Sequence, residues 1–352
     1  MAEDFAVNAG EKAAFSEEVA GNGLAPLWEI YQDLIVNEPT RTEPTVIWKW
    51  RELEPLVAKS ADLIKGDDAD HRVLILNNPH LDGPPATAST IVAGYQCVLP
   101  GEKTSPHRHT PAATRVILEG SGGATFVDGK RCDMFEGDLI ITPNWTWHCH
   151  ENDSEKRTIW LDVLDLPLVG KLDAVFGDMG PVMNYPENIS TLENENFRSG
   201  GLLPETDKCD VRHSPRLRYP WKEVLQAIEN APPLDDGSSR LNYVNPIDGG
   251  PIIPTLSSQV LALRGEQQTR SRRTTARTIC VVMEGEGFSQ IGNEKIDWEV
   301  NDVFTLPHWT WANHTAQSKR AIMITISDRE IMKKLNLLRE EVGSWSIENC
   351  SI

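Results

Sequence analysis

The sequence predicts a mainly β protein built from two tandem β-barrels, with a helical segment before them and a helix after them. Two observations support this fold class. Short β-rich runs separated by Gly, Pro and Asp recur in two regions of the chain, and those two regions are copies of one another. At 352 residues the chain is also long enough for two domains, each with a core of its own.

The predicted elements fall in four stretches. Residues 1–70 are expected to be helical, because apolar residues recur at helical spacing on both sides of the proline-rich break NEPTRTEPT. Residues 71–170 carry β-rich runs such as STIVAGYQCVL and form the first barrel. Residues 171–240 are irregular and form a connecting segment. Residues 241–352 form the second barrel, which ends in a charged helix over REIMKKLNLLREEV.

The internal duplication is visible in two pairs of segments. PGEKTSPHRHTPAATRVILEGSG aligns with RGEQQTRSRRTTARTICVVMEGEG, and EGDLIITPNWTWHCH aligns with VNDVFTLPHWTWANH. Gly101 and Gly265 are 164 positions apart, and so are Pro143 and Pro307. The second copy has one extra residue between these anchors, which is recovered before Asn301. The chain is therefore predicted to be a tandem duplication of one barrel.

Three histidines in the first copy have the spacing of a metal site. His107 and His109 are two residues apart on a predicted strand, so both imidazoles point to the same face. His148 follows PNWTW and is expected at the end of a later strand. A single buried histidine is more often a hydrogen-bonded core residue, but three in this arrangement favour a site for iron, zinc, copper or nickel.

Composition argues against several classes of partner. The net charge of −18 disfavours nucleic-acid binding, which needs a basic surface. No apolar run approaches the roughly 20 residues that span a bilayer, and MAEDFAVNAGEK lacks the features of a signal peptide. The six cysteines are scattered without a CxxC pair, which is typical of free thiols in a reducing compartment. We expect a cytoplasmic protein with neither nucleic-acid nor membrane partners.

The metal-site pattern resembles the two motifs of the cupin superfamily. The first is Gly101-x5-His107-x-His109, and the second is Gly137-x5-Pro143-x4-His148-x3-Asn152. The usual pattern adds an acidic ligand after three or four intervening residues. Ala113 and Thr114 occupy those positions, so the site should hold three histidines and no carboxylate. The glycine usual after the second-motif proline is replaced by Trp145. The resemblance implies that each barrel is a double-stranded β-helix, or jelly roll.

A narrower resemblance covers nearly the whole chain. GLAPLWE, HRVLILNNP, HRHTPAATR, ITPNWTWHCHEN, IWLDVLDLPL, RYPWKE and YVNPIDGGPIIPT are similar to segments of the bicupin gentisate, salicylate and 1-hydroxy-2-naphthoate dioxygenases. These enzymes use iron(II) and dioxygen to cleave an aromatic ring between its carboxyl-bearing and hydroxyl-bearing carbons. The resemblance implies an aromatic hydroxy acid and dioxygen as substrates, and a homo-oligomer, often a tetramer.

The same resemblance assigns roles to residues around the metal ligands. Arg115, expected on the same strand as His109, corresponds to the arginine that binds the substrate carboxylate. Gln96 and Arg72 correspond to residues that contact the substrate's oxygens. His150 corresponds to a histidine that assists proton transfer or hydrogen-bonds bound oxygen. Asp162 in WLD is expected to lie in the pocket and orient a histidine.

Alternatives remain for these side chains. Arg115 could form a salt bridge at a surface or an interface, and His150 could be a spare ligand or an ordinary polar residue.

The second barrel is predicted to lack a metal site. Its positions equivalent to the three histidines are Ser271, Arg273 and Ala312, and its remaining His308 and His314 lack an HxH strand. We therefore expect one iron(II) per chain and a structural role for this barrel.

Gentisate and 5-substituted salicylates are the expected substrates, and 1-hydroxy-2-naphthoate is an alternative. A non-catalytic metal-binding bicupin is the competing hypothesis outside enzymes. Storage bicupins, however, typically lose the histidines of both barrels.

Overall fold

The computed structural model describes residues 9–40, 43–66, 70, 72–180 and 212–343. The chain divides into two compact units, Met1–Thr40 and Arg41–Ile352. The first unit contains helices α1 (Ala9–Gly21) and α2 (Leu27–Leu34), as expected for the N-terminal segment. The rings of Phe15 and Trp28 stack with centroids 6.2 Å apart.

In the residues that the structure describes, the second unit contains the β structure and four more helices. These are α3 (Trp50–Leu63), α4 (Leu166–Lys171), α5 (Trp221–Asn230) and α6 (Arg329–Lys334). Four antiparallel sheets are arranged as two barrels of two sheets each, which confirms the predicted fold class. No helix in the described part of the chain is long and apolar enough to cross a membrane.

The first barrel consists of a six-stranded and a five-stranded sheet. The six-stranded sheet has, in spatial order, β12 (Arg218–Tyr219), β8 (Leu139–Thr142), β5 (Ala113–Glu119), β10 (Thr158–Leu164), β3 (Val92–Val98) and β2 (Val73–Ile75). The five-stranded sheet has β11 (Gly177–Met179), β4 (His107–His109), β9 (His148–Glu151), β6 (Ser121–Val127) and β7 (Lys130–Phe135).

The second barrel repeats this arrangement strand for strand. Its six-stranded sheet has β1 (Ile47–Trp48), β19 (Val303–Leu306), β16 (Thr278–Glu284), β21 (Arg320–Ser327), β14 (Ser257–Arg264) and β13 (Ser239–Asn242). Its five-stranded sheet has β22 (Glu340–Val342), β15 (Arg272–Thr274), β20 (Ala312–Ala316), β17 (Gly287–Ile291) and β18 (Glu294–Trp298).

Each barrel is completed by a strand that precedes the other barrel in the sequence. β1 lies in the predicted helical segment but pairs with β19 of the second barrel. β12 lies in the predicted connecting segment but pairs with β8 of the first barrel. Strand pairing therefore crosses the domain boundaries expected from the sequence. Each edge position is filled by a strand that lies outside the predicted range of the barrel it joins.

The helices that follow the two exchanged strands are anchored in the same way. The Trp50 N–H at the start of α3 donates a hydrogen bond of 2.8 Å to Asp302 of the second barrel. The Trp221 N–H at the start of α5 donates one of 2.8 Å to Asp138 of the first barrel. Asp138 and Asp302 are equivalent in the duplication, so the duplication includes the exchanged segments.

The C-terminal helix is shorter than predicted. α6 ends at Lys334, and the chain then turns and forms β22, which pairs with β15 along the edge of the second barrel. Asn336 has a φ of 58°, a left-handed conformation that ends helices and that asparagine tolerates better than most residues. The charged run over 329–342 is therefore a short helix followed by an edge strand.

In the first barrel, successive side chains along a strand alternate between a hydrophobic core outside the barrel and the barrel interior. Cys97, Val116 and Leu161 belong to a hydrophobic core that also includes side chains of the second barrel, among them Val260 and Ile324. The neighbouring residues on the same strands point to the opposite face, into the first barrel. The residues predicted to surround the metal site lie mainly on this inner face.

Candidate metal centre

The three predicted histidines lie together inside the first barrel. His107 and His109 are the two ends of β4, and His148 begins β9 directly opposite His107. One ring nitrogen from each lies within 4.8 Å of the others. The ring centroids are 4.3 Å apart for His107 and His148, and 4.8 Å apart for His109 and His148.

Hydrogen bonds fix the tautomer of all three rings. Each Nδ1 lies within hydrogen-bond distance of a backbone carbonyl two residues away, and a carbonyl oxygen can only accept. Each Nδ1 therefore carries the proton, which leaves Nε2 as the nitrogen with the lone pair. The contacts are His107 to Ser105 at 2.9 Å, His109 to Pro111 at 2.7 Å, and His148 to Thr146 at 2.9 Å.

These rings fit a metal ion. The Nε2 atom of His148 is buried and has no hydrogen-bond partner, which is costly for a polar atom unless a ligand occupies the space. Burial lowers the pKa of His109 to about 4, and it lowers the pKa of His148 well below its ordinary value. Both rings are therefore neutral at pH 7, as metal coordination requires.

In the described residues, the cluster contains no carboxylate. Ala113 and Thr114, at the positions of the usual acidic ligand, are buried in β5. The three imidazoles could hold a metal ion and leave positions for other ligands. Nitrogen donors of this kind suit iron, copper, nickel and zinc better than magnesium or calcium.

Arg115 is buried in the wall of the same barrel. It does not share a strand with the histidines, as the sequence suggested, because a break at residues 110–112 places it on β5 in the other sheet. Its Nε forms an ion pair of 2.8 Å with Asp162 on β10, and its Nη1 donates to the hydroxyl of Thr142. The indole N–H of Trp160 donates to the second oxygen of Asp162 at 2.8 Å.

This row of contacts holds the guanidinium in one orientation. Burial raises the pKa of Asp162, while the charge of Arg115 acts in the opposite direction. Asp162 therefore orients Arg115, and no hydrogen bond joins it to a histidine in the part of the chain described. Trp160 and Thr142 were missed from the sequence, although Trp160 begins the WLD motif.

Gln96 and His150 also lie on the inner face. Gln96 is opposite Trp160 in the β3–β10 pair, and its amide donates to the carbonyl of Asp70 at 3.3 Å. His150 is buried, and its Nδ1 lies 3.0 Å from the hydroxyl of Thr125. Its ring centroid lies 4.8 Å from that of Trp160, and burial lowers its pKa well below the ordinary value.

Arg72 is not arranged to contact a substrate. It precedes Val73, which is opposite Gln96, so its side chain lies on the other face beside Cys97. Its five N–H donors are taken by the carboxylate of Glu102 and by the carbonyls of Cys97 and Ile64. The expectation that Arg72 binds substrate is not supported by this geometry, which makes it a buried structural arginine.

Comparison with known proteins agrees with this geometry. A family model for the cupin domain matches residues 94–164. Gentisate 1,2 dioxygenase 1 of Aquipseudomonas alcaligenes is 35% identical over 339 residues, which cover 94% of this chain and 96% of that protein. The 5-aminosalicylate 1,2-dioxygenase of a Comamonas species is 33% identical, over 93% of this chain and 89% of that protein.

A solved structure matches equally far along the chain. The salicylate 1,2-dioxygenase of Pseudoaminobacter salicylatoxidans, crystallised as adducts with gentisate, has a TM-score of 0.87 and 29% identity. The match covers 97% of this chain and 96% of that one. The chain belongs to the bicupin gentisate, salicylate and 1-hydroxy-2-naphthoate 1,2-dioxygenase family. Members of this family are ring-cleaving oxidoreductases.

In this dioxygenase chain, the second barrel aligns with the first differently from the sequence-based expectation. His107 is opposite His148, and in the second barrel Arg272 is opposite Ala312. The Trp145 N–H donates to the carbonyl of His109 at 2.8 Å, and the Trp309 N–H donates to the carbonyl of Thr274 at 2.5 Å. The positions of His107 and His109 are therefore taken by Arg272 and Thr274, not by Ser271 and Arg273.

The sequence alignment paired the wrong residues because the extra residue of the second copy lies before β15. Arg273 is instead equivalent to Arg108. The Arg108 guanidinium lies over the rings of Trp145 and Trp147 at 4.3 and 4.7 Å, and Arg273 lies over Trp309 and Trp311 at 4.3 and 4.9 Å. Neither alignment places a histidine at the positions of His107 and His109.

The polar side chains that line the first barrel are also replaced by other residues at the equivalent positions of the second barrel. Strand pairing puts Leu261, Cys280, Met323 and Thr325 at the positions of Gln96, Arg115, Trp160 and Asp162. His150 is the exception, because His314 stands at its position with Nδ1 2.7 Å from the hydroxyl of Ser289. The arginine, its partners and the metal cluster thus occur together in one barrel, whereas the histidine–hydroxyl pair occurs in both.

Proposed function

We propose that this protein is an iron(II)-dependent dioxygenase that cleaves a salicylate-type hydroxybenzoate between its carboxyl-bearing and hydroxyl-bearing carbons, with both atoms of dioxygen incorporated. The observation that carries this proposal is the arrangement of the first barrel. A three-histidine cluster without a carboxylate shares one interior with a buried, oriented arginine. Full-length similarity to gentisate and 5-aminosalicylate dioxygenases supports it.

His107, His109 and His148 would hold the iron through their Nε2 atoms. The carbonyls that accept a hydrogen bond from each Nδ1–H fix the ring orientations. They also make each Nε2 a better electron-pair donor to a metal. Three protein ligands leave room for the substrate's two oxygens and for dioxygen. Iron(II) supplies an electron path between an electron-rich ring and dioxygen, which do not react readily on their own. We propose one iron per chain, since the second barrel lacks the ligands.

Arg115 would bind the substrate carboxylate. Asp162 pairs with it through the ion pair at Nε, and Thr142 accepts one hydrogen bond from Nη1, which leaves Nη2 without a hydrogen bond to the described residues. A guanidinium held in place by its partners loses little side-chain entropy when it binds an anion, and the buried setting strengthens the contact. Gln96, on the same inner face, would contact a substrate oxygen.

His150 would act on protons beside the metal. Its ring is neutral at pH 7 and lies with its centroid 6.3 Å from that of His148. Thr125 fixes Nδ1, so Nε2 is the atom available to hydrogen-bond an oxygen or to exchange a proton. His314 has the same hydroxyl contact in a barrel without a metal cluster, so the fold itself accounts for that contact.

The substrate class follows from the relatives, with gentisate and 5-substituted salicylates as our proposal. The relatives include gentisate and 5-aminosalicylate dioxygenases, and the solved relative was captured with gentisate. A 1-hydroxy-2-naphthoate dioxygenase from a Nocardioides species is 32% identical over 96% of this chain, which keeps that substrate as the alternative.

We also propose a cytoplasmic homotetramer. The four cysteines in the described residues, Cys97, Cys132, Cys149 and Cys280, are buried free thiols, as in reducing compartments. Helix α2 exposes apolar side chains, including Trp28 and Leu34, which a subunit contact would cover. Light scattering coupled to size exclusion should give a mass near four chains, and a monomer would exclude the tetramer.

The test combines metal analysis with oxygen uptake. Protein purified without air and loaded with iron(II) should bind one iron per chain and consume oxygen with gentisate or 5-aminosalicylate. His148→Ala should lose both iron and activity. His314→Ala, the same change at a buried histidine of the second barrel, should keep iron. A wild-type protein that binds metal but takes up no oxygen with any of these acids would favour the non-catalytic bicupin.

A further inference from the structure

Two arginines point into the interior of the second barrel. The equivalent interior of the first barrel contains the histidine cluster. Arg272 stands on β15 at the position of His107, opposite Ala312. Arg240 stands on β13 opposite Leu261. Ala312 and Leu261 both belong to the hydrophobic core inside this barrel, and directly opposed residues of antiparallel strands point to the same side. Both arginine side chains therefore project into the interior.

Neither arginine forms an ion pair with a residue that the structure describes. The Nε atoms of Arg240 and Arg272 are buried without a hydrogen bond, and neither side chain has an ion pair with the residues that the structure describes. The nearest acidic influence is Asp236, whose oxygens accept from the N–H and hydroxyl of Ser238 and from the N–H of Arg270. The Asp236 carboxylate therefore makes its hydrogen bonds to Ser238 and to the backbone of Arg270.

The surroundings leave positive charge uncompensated. Burial and the charge of Arg272 lower the pKa of Arg240 to about 10, while Asp236 and Cys280 act in the opposite direction. Arg240 is therefore still charged at pH 7. His314, which faces it, has a pKa lowered by burial to about 3 and is neutral there. The two guanidinium groups outnumber the single carboxylate, Asp236, that acts on Arg240, which leaves positive charge in excess.

An unpaired buried charge is costly, and pairs of arginines bind oxyanions through fixed N–H donors. Leu261, Phe304 and Met323 line the same interior and would contact carbon atoms instead of a hydrated inorganic ion. We propose that the second barrel binds a small organic carboxylate whose oxygens accept hydrogen bonds from Arg240 and Arg272. This site is separate from the metal cluster and does not depend on the proposed reaction.

The experiment uses the full chain carrying Arg115→Met, which removes the candidate carboxylate contact of the first barrel. Binding of benzoate, succinate, phosphate and chloride is measured by calorimetry at constant ionic strength, with thermal unfolding alongside. We expect an organic carboxylate to bind and to raise the Tm, and the inorganic ions to do neither. Equal responses to benzoate, phosphate and chloride would overturn the assignment.

Matched variants locate the site. Arg240→Met and Arg272→Met should each weaken carboxylate binding about tenfold or more, the effect of losing a charged hydrogen bond. Arg264→Met removes an exposed arginine at the end of β14 and should have no effect. Without added anion, Arg240→Met should unfold at the same or a higher temperature than its parent, because an unpaired charge has gone. Carboxylate binding that survives both interior changes would refute the proposal.

Discussion

At the scale of single residues, the ion pair between Arg115 and Asp162 sets the orientation of the arginine that we propose binds the substrate carboxylate. A buried pair of this kind adds little net stability, because desolvation offsets most of the attraction. It does fix the direction of the guanidinium, and Trp160 and Thr142 complete that fixation. In the second barrel, Cys280, Met323 and Thr325 stand at the positions of Arg115, Trp160 and Asp162.

Arg115→Ala should raise KM roughly 10- to 100-fold, the range expected for loss of a charged hydrogen bond. Iron content should not change, because no ligand is removed. The change leaves Asp162 buried without its partner, so the double variant with Asp162→Asn serves as the control for folding. Steady-state kinetics and metal analysis check this together. Loss of iron from the folded double variant would show that Arg115 supports the metal site and not the substrate.

His150 and His314 form a natural pair for separating catalysis from structure. Both are buried, and each places Nδ1 against a hydroxyl of the neighbouring strand. His150→Asn should lower kcat per bound iron by about a hundredfold or more, as for loss of general acid–base assistance. His314→Asn should destabilise the fold to a similar extent without changing that kcat. Equal kcat values in the two variants would assign His150 a structural role only.

At the scale of secondary-structure elements, the exchanged strands β1 and β12 each lead into a helix capped by the opposite barrel. Asp302 accepts from the Trp50 N–H and pairs with Lys49 at 2.8 Å, and Asp138 accepts from the Trp221 N–H and pairs with Arg218 at 2.8 Å. Helix N-termini attract negative charge, so each aspartate satisfies a backbone donor and the helix dipole at once.

Asp302→Ala and Asp138→Ala should each lower the free energy of unfolding by about 2 kcal/mol, the upper range for losing a helix cap. Urea unfolding measures the effect. Glu299→Ala is the comparison, since its ion pair with Arg51 is exposed and 3.8 Å long and should contribute under about 1 kcal/mol. If Asp302→Ala and Glu299→Ala cost the same, the cap does not anchor α3.

At the scale of the whole molecule, the two barrels are one folding unit. Residues Arg41–Ile352 cluster as a single compact unit. One hydrophobic core contains Val116 and Leu161 of the first barrel together with Val260, Val281 and Ile324 of the second. The exchange of β1 and β12 adds hydrogen bonds in both directions. The second barrel thus stabilises the first through this shared core and the exchanged strands.

Fragments 1–200 and 201–352, produced separately, should therefore fail to unfold cooperatively. The first lacks β12 and α5, and the second lacks β1 and α3, so each has an open sheet edge and an uncovered apolar face. Co-expression should restore a cooperative transition and the proposed iron site. Circular dichroism during thermal unfolding provides the measurement. A cooperative transition in the isolated second fragment would contradict this account.

The sequence by itself determined the two-barrel fold class and the histidine cluster of the first copy. These follow from local signals: strand periodicity, the HxH spacing of His107 and His109, and an internal repeat. Arg115 and Asp162 were singled out by the resemblance to the dioxygenase family, which matches segments of the chain that contain them.

Only the tertiary structure decided which side chains meet. It moved Arg115 to a different strand from His109, turned Arg72 away from the pocket and assigned Arg272 to the position of His107. It also exchanged β1 and β12 between the barrels. The physical reason is that strand partners and register are non-local, and a shift of one residue reverses the face of every side chain that follows. A single inserted residue before β15 was enough to mislead the sequence alignment, whereas hydrogen bonds across the sheet resolved it.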